Sequence, residues 1–192
     1  MDKKLLKATG ILCVSLIERR ETARFLAALT DDPNWRVARI HKGYDYSEPG
    51  IVQSDIRHAQ TNSLDSMPAL VEHMDARVKA RILPDINRHY RGNYNDVGEY
   101  KVVRYEIGGH YNIHIDNGPN QEHRHFTVLC YLNDDLDGGE TIFPDIDVAV
   151  QPIAGRAIAF PCEYRHGALA VKRGVKYVFV CSIIAKPAPR WI

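Results

Sequence analysis

The residues with the clearest potential for chemistry are a histidine and an aspartate two positions apart, His114 and Asp116. Side chains at positions i and i+2 of a β-strand point to the same face, so a strand here would present an imidazole beside a carboxylate. His166 follows a separate strand-like run and is the natural third ligand. Two histidines and one carboxylate form the facial triad typical of non-haem Fe(II) sites. We therefore predict an Fe(II) site formed by these three residues.

The spacing of His114 and Asp116 is a weak signal by itself, because the chain contains nine histidines and a chance match is easily made. In the ordinary alternative, His114 is a strand histidine that is hydrogen-bonded to its neighbours. Three further histidines are weaker candidates, because no carboxylate falls in matching register with them: His110, His123 and His125. Cys162 lies close to His166, but a thiolate would suit zinc or copper better than iron and oxygen.

A basic residue follows His166 at a spacing that could bring it into the same pocket. Lys176 lies ten residues later on the next strand-like run, and Tyr105 lies on the strand that leads to the His-x-Asp pair. A buried lysine requires an anionic partner, because an unpaired buried charge is costly. A dicarboxylate cosubstrate would supply that partner, and Tyr105 could donate a second hydrogen bond. Arg165 and Arg173 are alternatives, since a guanidinium binds a carboxylate through two parallel hydrogen bonds.

Two helical segments are predicted in the first half of the chain. Apolar residues within 18–29 follow helical spacing, and the segment ends at Asp31, Asp32 and Pro33. A second helix begins near Ser66 and Pro68. One apolar stripe then recurs at every fourth residue: Leu70, Met74, Val78, Ile82 and Ile86. The stripe predicts packing in the core, and Pro84 predicts a kink because its ring removes a backbone donor.

The second half of the chain changes to short apolar runs separated by turn residues. A short strand is predicted at 36–40, and the main series of strands is predicted at 100–107, 127–132, 141–143, 157–160 and 176–184. Helices that precede such strands pack on one face of a sheet and support it. The pattern favours an α+β fold, mainly β, whose strands form a sandwich or barrel.

The length of 192 residues suits one domain, with helical support over about 1–98 and a β core over about 99–185. The net charge of +1 gives no reason to expect nucleic acid or an anionic membrane as a partner. The most apolar early stretch, 11–17, is too short to cross a bilayer and has no cleavage site after it. No CxxC pair is present, which disfavours structural zinc and predicts free thiols in a cytoplasmic protein.

Three stretches of the chain resemble the prolyl 4-hydroxylase family of Fe(II)- and 2-oxoglutarate-dependent oxygenases. The first stretch, 105–116, carries the His-x-Asp pair. The second comprises 124–133 and 138–144, which includes the pair Gly138-Gly139. The third, 152–176, contains the later histidine and the lysine. The motifs follow one another in the family's order.

The resemblance implies a double-stranded β-helix (jelly-roll) fold, with a hairpin turn at Gly138-Gly139. It also implies that Tyr105, Thr127 and Lys176 hold the distal carboxylate of 2-oxoglutarate. The implied cofactors are Fe(II), 2-oxoglutarate and O2, with ascorbate as a candidate accessory reductant. The implied reaction is hydroxylation of an unactivated C–H bond, coupled to the conversion of 2-oxoglutarate into succinate and carbon dioxide.

The sequence constrains the substrate less than the reaction. Many peptide hydroxylases of the family carry Gln near the position of His110 and Trp at that of Tyr177, which puts a prolyl-peptide substrate in question. We expect either a peptidyl residue such as proline or a free amino acid or natural product. The loop 41–53 is predicted to be a connector, with a lid as the alternative. The candidate contacts at the pocket entrance are Tyr111, Arg124, Tyr44 and Tyr46.

Two other functions are compatible with the same residues. A non-catalytic jelly-roll protein would use the pocket for a ligand or a structural metal, although a binding protein has no need of a triad together with a spaced basic residue. A zinc hydrolase would need a general base beside the metal-bound water, and Glu163 is the nearby candidate. Iron-dependent turnover of 2-oxoglutarate discriminates the oxygenase from both.

Overall fold

The computed structural model describes residues 9–41, 50–119 and 121–184, together with the backbone of Lys4–Leu5. Its helices are α1 (Arg19–Thr30), α2 (Pro68–Arg81), α3 (Leu83–Tyr90) and a short 3-10 helix at Pro144–Ile146. Its strands are β1 (Lys4–Leu5), β2 (Leu12–Ser15), β3 (Arg36–Val37), β4 (Arg57–His58), β5 (Gln60–Asn62), β6 (Asp96–Tyr105), β7 (His110–His114), β8 (Arg124–Tyr131), β9 (Asp137–Gly138), β10 (Thr141–Phe143), β11 (Val148–Val150), β12 (Arg156–Pro161), β13 (His166–Ala168), β14 (Val171–Arg173) and β15 (Lys176–Ile184).

The strands form two antiparallel sheets that pack face to face. The larger sheet has the order β1-β2-β12-β8-β15-β6-β5-β3, and the second has the order β11-β10-β13-β7-β4. Strands β14 and β9 form a small third sheet. A buried cluster joins Phe143 of the second sheet to Phe160 and Val178 of the larger one. The expected α+β, mainly β, jelly-roll architecture is confirmed.

The helices cover the outer face of the larger sheet. All five residues of the predicted apolar stripe are buried: Leu70, Met74, Val78, Ile82 and Ile86. They share one core cluster with strand residues such as Val128 and Phe179. The stripe divides between α2 and α3 at Ile82, because Pro84 has no N–H and its ring clashes with the carbonyl one turn back. The predicted kink is therefore a break between two helices.

The first half of the chain contributes strands as well as helices. Strand β2, which lies inside the early apolar stretch, pairs with β12, and β5 pairs with β6. A four-residue strand is too short for its periodicity to distinguish it from other apolar runs. Both sheets therefore include strands from the segment assigned to helical support, and the division near residue 99 stays a prediction.

The expected hairpin turn at Gly138-Gly139 is wrong, because the strands on either side of it, β9 and β10, do not pair with each other. Gly138 ends β9, which pairs with β14, and Gly139 follows with a φ of 70° that favours glycine.

All four cysteines lie in the described part of the chain and are free. No helix among the described residues is both long and apolar enough to span a membrane. The cytoplasmic location stays a prediction.

Candidate metal and cosubstrate site

Two neighbouring strands of the second sheet bring the three predicted ligands together. His114 on β7 and His166 on β13 are direct cross-strand partners. Asp116 lies two residues beyond β7, and its backbone N–H donates to the Cys162 carbonyl oxygen at 2.9 Å, which fixes the chain there. One ligand atom from each of the three side chains lies within 4.8 Å of the other two.

A β-bulge in β7 adds an aromatic ring to this group. The register places Tyr111 opposite Ala168, so β7 has one more residue than β13 between the two paired positions. The Tyr111 ring therefore stacks on the His114 ring, with 3.6 Å between centroids and 21° between planes. Gly167 lies opposite the bulge, where a Cβ would stand 2.9 Å from the Tyr111 carbonyl oxygen.

Backbone carbonyls set the tautomers of both histidines. The Nδ1 of His114 lies 2.8 Å from the Asn112 carbonyl oxygen, and that of His166 lies 3.0 Å from the Tyr164 carbonyl oxygen. A carbonyl can only accept, so each Nδ1 carries the proton and each Nε2 presents a lone pair. These Nε2 atoms lie 3.5 and 3.4 Å from the oxygens of Asp116. Three acceptors that converge without a donor between them fit a cation.

The charges at this site favour ligands without protons. Burial would raise the pKa of Asp116, but His166, His114 and the Thr127 hydroxyl outweigh it and hold the pKa well below its usual range. Burial lowers the pKa of His166, against the opposing charge of Asp116. A carboxylate and a neutral imidazole are the forms that bind a divalent metal.

Thr127 and Cys162 support Asp116 from behind. The Thr127 hydroxyl donates to Oδ2 of Asp116 at 2.5 Å, and the Cys162 sulfur lies 3.4 Å from the same hydroxyl. Burial raises the pKa of Cys162 to about 12, so it remains a thiol and can donate to Thr127. Cys162 is thus held behind the carboxylate as a hydrogen-bonding neighbour.

A cavity of about 250 Å³ opens beside the triad, between the two sheets. Its floor is made of side chains from three cross-strand pairs of β6 and β15: Tyr105 with Lys176, Val103 with Val178, and Lys101 with Val180. The second sheet supplies Thr141, Gly167 and Ala168. The remaining described lining residues outside the triad are His41, Arg57, Tyr111, Arg124 and Leu129.

Lys176 forms the basic end of this cavity. Its side chain is 2% exposed, and its Nζ donates to the Gly139 carbonyl oxygen at 2.5 Å. The rings of Tyr105 and Tyr131 lie 5.2 and 5.5 Å from the same nitrogen. Burial lowers the pKa of Lys176 to about 7, against the smaller opposing effect of Glu140. No carboxylate of the described residues forms an ion pair with this ammonium, which lines the cavity where a ligand carboxylate can reach it.

The two threonines near the cavity differ in their positions. Thr127 is absent from the cavity lining among the described residues, and its hydroxyl faces Asp116, so its position does not support the expected contact with the cosubstrate. Thr141 does line the cavity and accepts a hydrogen bond of 2.8 Å from the Tyr131 hydroxyl. The sequence motif marked Thr141 only as a strand residue, because strand register decides which threonine faces inward.

The other candidates divide clearly by position. Tyr111 and Arg124 line the cavity, whereas Tyr44 and Tyr46 lie outside the described residues. Six side chains named as alternatives have positions outside the described cavity lining: His110, His123, His125, Glu163, Arg165 and Arg173. The last three are exposed, and the two arginines pair with Asp145 and Asp137. Of the three basic residues proposed for the cosubstrate carboxylate, Lys176, Arg165 and Arg173, Lys176 is therefore the one that lines the described cavity.

Arg57 and Lys101 also line the cavity, and sequence reasoning missed both. The Arg57 guanidinium lies 4.5 Å from the centroid of the Tyr111 ring. Burial and the neighbouring Arg57 lower the pKa of Lys101 to about 8. Alternation along β6 could have found Lys101, because it shares a face with Tyr105.

A comparison with known families gives a match over the β core. A model of the 2OG-Fe(II) oxygenase superfamily matches residues 100–183, so this part of the chain is similar to that superfamily. The chain is also similar to prolyl 4-hydroxylase subunit alpha-1 of Gallus gallus, with 26% identity over 84% of this chain and 35% of that subunit. Prolyl 3-hydroxylase 2 of Mus musculus is 41% identical over 29% of this chain and 9% of its own length.

Solved structures of oxygenases share the fold. The viral collagen prolyl hydroxylase of Paramecium bursaria Chlorella virus-1, solved with 2-oxoglutarate, matches with a TM-score of 0.69 and 20% identity over 95% of this chain and all of that one. A Pseudomonas putida prolyl-4-hydroxylase matches with a TM-score of 0.67 and 19% identity over 94% of this chain and 95% of its own. The resemblance to the prolyl 4-hydroxylase group is confirmed. Because the chain spans about a third or less of its curated relatives, its own activity is a proposal.

Proposed function

We propose that this protein is an Fe(II)- and 2-oxoglutarate-dependent dioxygenase that hydroxylates an unactivated C–H bond. The observation that carries the proposal is the convergence of three proton-free ligand atoms beside a cavity whose far end holds a buried lysine. Bound iron would supply the oxygen activation and the oxidative decarboxylation of 2-oxoglutarate. The substrate is a peptidyl residue such as proline, or a free amino acid or natural product.

The residues of the site have distinct tasks in this proposal. His114, Asp116 and His166 hold the metal on one face and leave the opposite face open to ligands. Lys176 pairs with the distal carboxylate of 2-oxoglutarate, and Tyr105 lies across the strand pair to donate a hydrogen bond to it. The two sheets keep bulk water from this end of the cavity, which strengthens the pairing.

We propose different tasks for the two threonines. Thr141 lines the cavity, so we place it with Tyr105 and Lys176 at the cosubstrate. Thr127 binds the carboxylate of Asp116 and orients it toward the metal. Outer hydrogen bonds of this kind orient ligands and affect metal affinity.

The rival functions have less support. A zinc hydrolase would need a base near the metal, but Glu163 is exposed and outside the described cavity lining. A non-catalytic jelly-roll protein would leave the basic end without a purpose, since burying a lysine without an anion is unfavourable. The match of the β core to the 2OG-Fe(II) oxygenase model also favours the oxygenase.

The test is succinate formation from 2-oxoglutarate by protein purified without oxygen and supplied with Fe(II) and ascorbate before air is admitted. We expect slow, iron-dependent succinate formation that is lost in His114→Ala and Asp116→Ala. His89→Ala is a matched control, because His89 is an exposed histidine on α3. Titration of 2-oxoglutarate into Mn(II)-loaded protein measures binding separately. Absence of both binding and turnover would refute the proposal.

A further inference from the structure

The cavity floor carries two lysines at separate positions. Lys176 pairs with Tyr105 across β15 and β6, and Lys101 pairs with Val180 further along the same two strands. Lys101 lies four residues from Tyr105, which corresponds to about 13 Å along an extended strand. The carbon chain of 2-oxoglutarate is about 5 Å long, given carbon–carbon bonds of about 1.5 Å. A cosubstrate anchored at Lys176 therefore leaves the Lys101 end of the floor for another molecule.

The two lysines also differ in their partners. The Nζ of Lys176 donates to a backbone carbonyl and lies near two aromatic rings. The Nζ of Lys101 has no hydrogen-bond or ion-pair partner among the described residues, although its side chain lines the cavity and is half-buried. Arg57 and Arg124 repel its charge, whereas Asp116 and Glu99 attract it.

The carboxylates near Lys101 are committed elsewhere. Asp116 belongs to the triad and accepts the Thr127 hydroxyl. Glu99 forms an ion pair with Arg124 and lies 3.1 Å from Nε2 of His123. No other carboxylate of the described residues lines the cavity.

Arg57 adds a second positive charge beside Lys101 that no carboxylate neutralises in the described residues. Its guanidinium lies over the Tyr111 ring, and its Nη1 donates to the Arg39 carbonyl oxygen at 3.1 Å. Both contacts orient the side chain, and neither cancels its charge. A cation held in place by an aromatic ring and a carbonyl is well prepared to bind an anion.

The sum of the formal charges in the proposed complex also leaves an excess of positive charge. Fe(II), Asp116, 2-oxoglutarate and Lys176 together sum to zero. Arg124 is balanced by Glu99. Among the described residues that line the cavity with the triad, Lys101 and Arg57 then remain as two uncompensated positive charges.

We propose that the substrate of this enzyme carries a carboxylate, which pairs with Lys101 and is flanked by Arg57. The inference rests on the proposed function and names its substrate class. A free amino acid or other small acid would supply such a group, and so would the C-terminal carboxylate of a peptide. An internal proline of a long peptide has no carboxylate of its own. Lys101 is thus a specificity-determining residue at the metal end of the floor.

The experiment compares three sets of probes on protein loaded with 2-oxoglutarate: the free L-amino acids, their amides, and dipeptides with free or amidated C-termini. Binding is measured as a shift in melting temperature of the Mn(II)-loaded protein without oxygen, and turnover as stimulated succinate formation with Fe(II). We expect at least one free carboxylate to bind at least tenfold more tightly than its amide. A response to free amino acids alone identifies small acids, and one to free-ended dipeptides identifies peptide C-termini.

Lys101 is tested by two substitutions. Lys101→Gln should reduce the preference for carboxylate over amide to less than threefold and leave the affinity for 2-oxoglutarate unchanged. Lys101→Arg retains the charge and should retain the preference, which shows that the first variant has not merely misfolded. Lys172→Gln is the matched control, because Lys172 is an exposed lysine on β14.

Several results would overturn the inference while leaving the proposed function intact. One is an equal response to carboxylates and amides by protein that turns over 2-oxoglutarate. Another is that no carboxylate probe shifts the melting temperature or stimulates succinate formation in protein that turns over 2-oxoglutarate. A third is a Lys101→Gln variant that loses affinity for 2-oxoglutarate and keeps its substrate preference. Failure of the wild-type protein to bind 2-oxoglutarate, in contrast, would refute the proposed function itself.

Discussion

The two ends of the cavity suit ligands of opposite charge. At the metal end, His114, Asp116 and His166 bring three acceptors together without a donor between them. At the basic end, Lys176 buries a cationic donor whose hydrogen-bond acceptor in the described residues is the Gly139 carbonyl oxygen. The first end suits a cation, and the second suits an anion. A metal ion together with a dicarboxylate fits both ends, and each end can be tested separately.

The largest effect is expected from removal of a metal ligand. His166→Ala should lower the affinity for Mn(II) by roughly 100-fold or more, beyond the 10–100-fold typical of outer-shell partners. Succinate formation should fall to background. Calorimetric titration of Mn(II) measures the loss, with His89→Ala as the control. Metal binding within threefold of wild type would show that the two ends do not differ as described.

Removal of the buried ammonium should affect the other end alone. Lys176→Met should weaken 2-oxoglutarate binding by about 30-fold or more, because truncation of one partner of a buried ion pair typically costs 2–5 kcal/mol. Affinity for Mn(II) should stay within threefold of wild type. Titrations of each ligand separate the two effects, and Lys172→Met provides a surface control. Equal loss of both affinities would contradict the separation of the two ends.

The two threonines offer a finer test of the same division. Thr141→Val should weaken 2-oxoglutarate binding by about tenfold, the value of one hydrogen bond to a charged group, without change in Mn(II) affinity. Thr127→Val should weaken Mn(II) binding by about tenfold, because Asp116 loses its supporting hydroxyl. The substitutions are close to isosteric, so each variant is the control for the other. The reverse result would support the expected contact between Thr127 and the cosubstrate.

The smallest effect concerns pH. Because burial lowers the pKa of Lys176 to about 7, the free protein loses this charge above neutral pH. The complex keeps the proton, since the ligand carboxylate favours the charged form. Affinity for 2-oxoglutarate should therefore fall by about fivefold as pH rises from 7 to 8. Titrations in two buffers of different ionisation enthalpy should reveal proton uptake on binding, and Lys176→Met should abolish it.

The sequence predicted the helices and strands better than it predicted which strands pair with each other. The apolar stripe from Leu70 to Ile86 depends on local periodicity, so its burial and the break at Pro84 could be predicted. Strand β15 was predicted with its observed bounds for the same reason. Strand β2 was missed, because four residues carry too little periodicity and its pairing with β12 depends on residues far along the chain.

The candidate site shows the same limit. His114 and Asp116 were paired by alternation, although β7 ends at His114 and a backbone hydrogen bond to Cys162 positions Asp116 beyond it. Alternation alone could not assign Thr141 to the cavity, because its position depends on the pairing of β10 with β13. Alternation along β6 places Lys101 on the same face as Tyr105, but alternation alone does not show that this face lines the cavity.

The bulge between Tyr111 and His114 determines which face of β7 each ring occupies. In a regular strand, side chains three positions apart point to opposite faces. The extra residue of the bulge brings both rings to one face in spite of that spacing. Deletion of Asn112 or Ile113 would leave the rings two positions apart, where a regular strand also places them on one face. Both of these side chains are exposed, so substitutions there leave the spacing intact. A deletion variant that keeps metal binding would therefore show that the site requires the shared face and not the bulge itself.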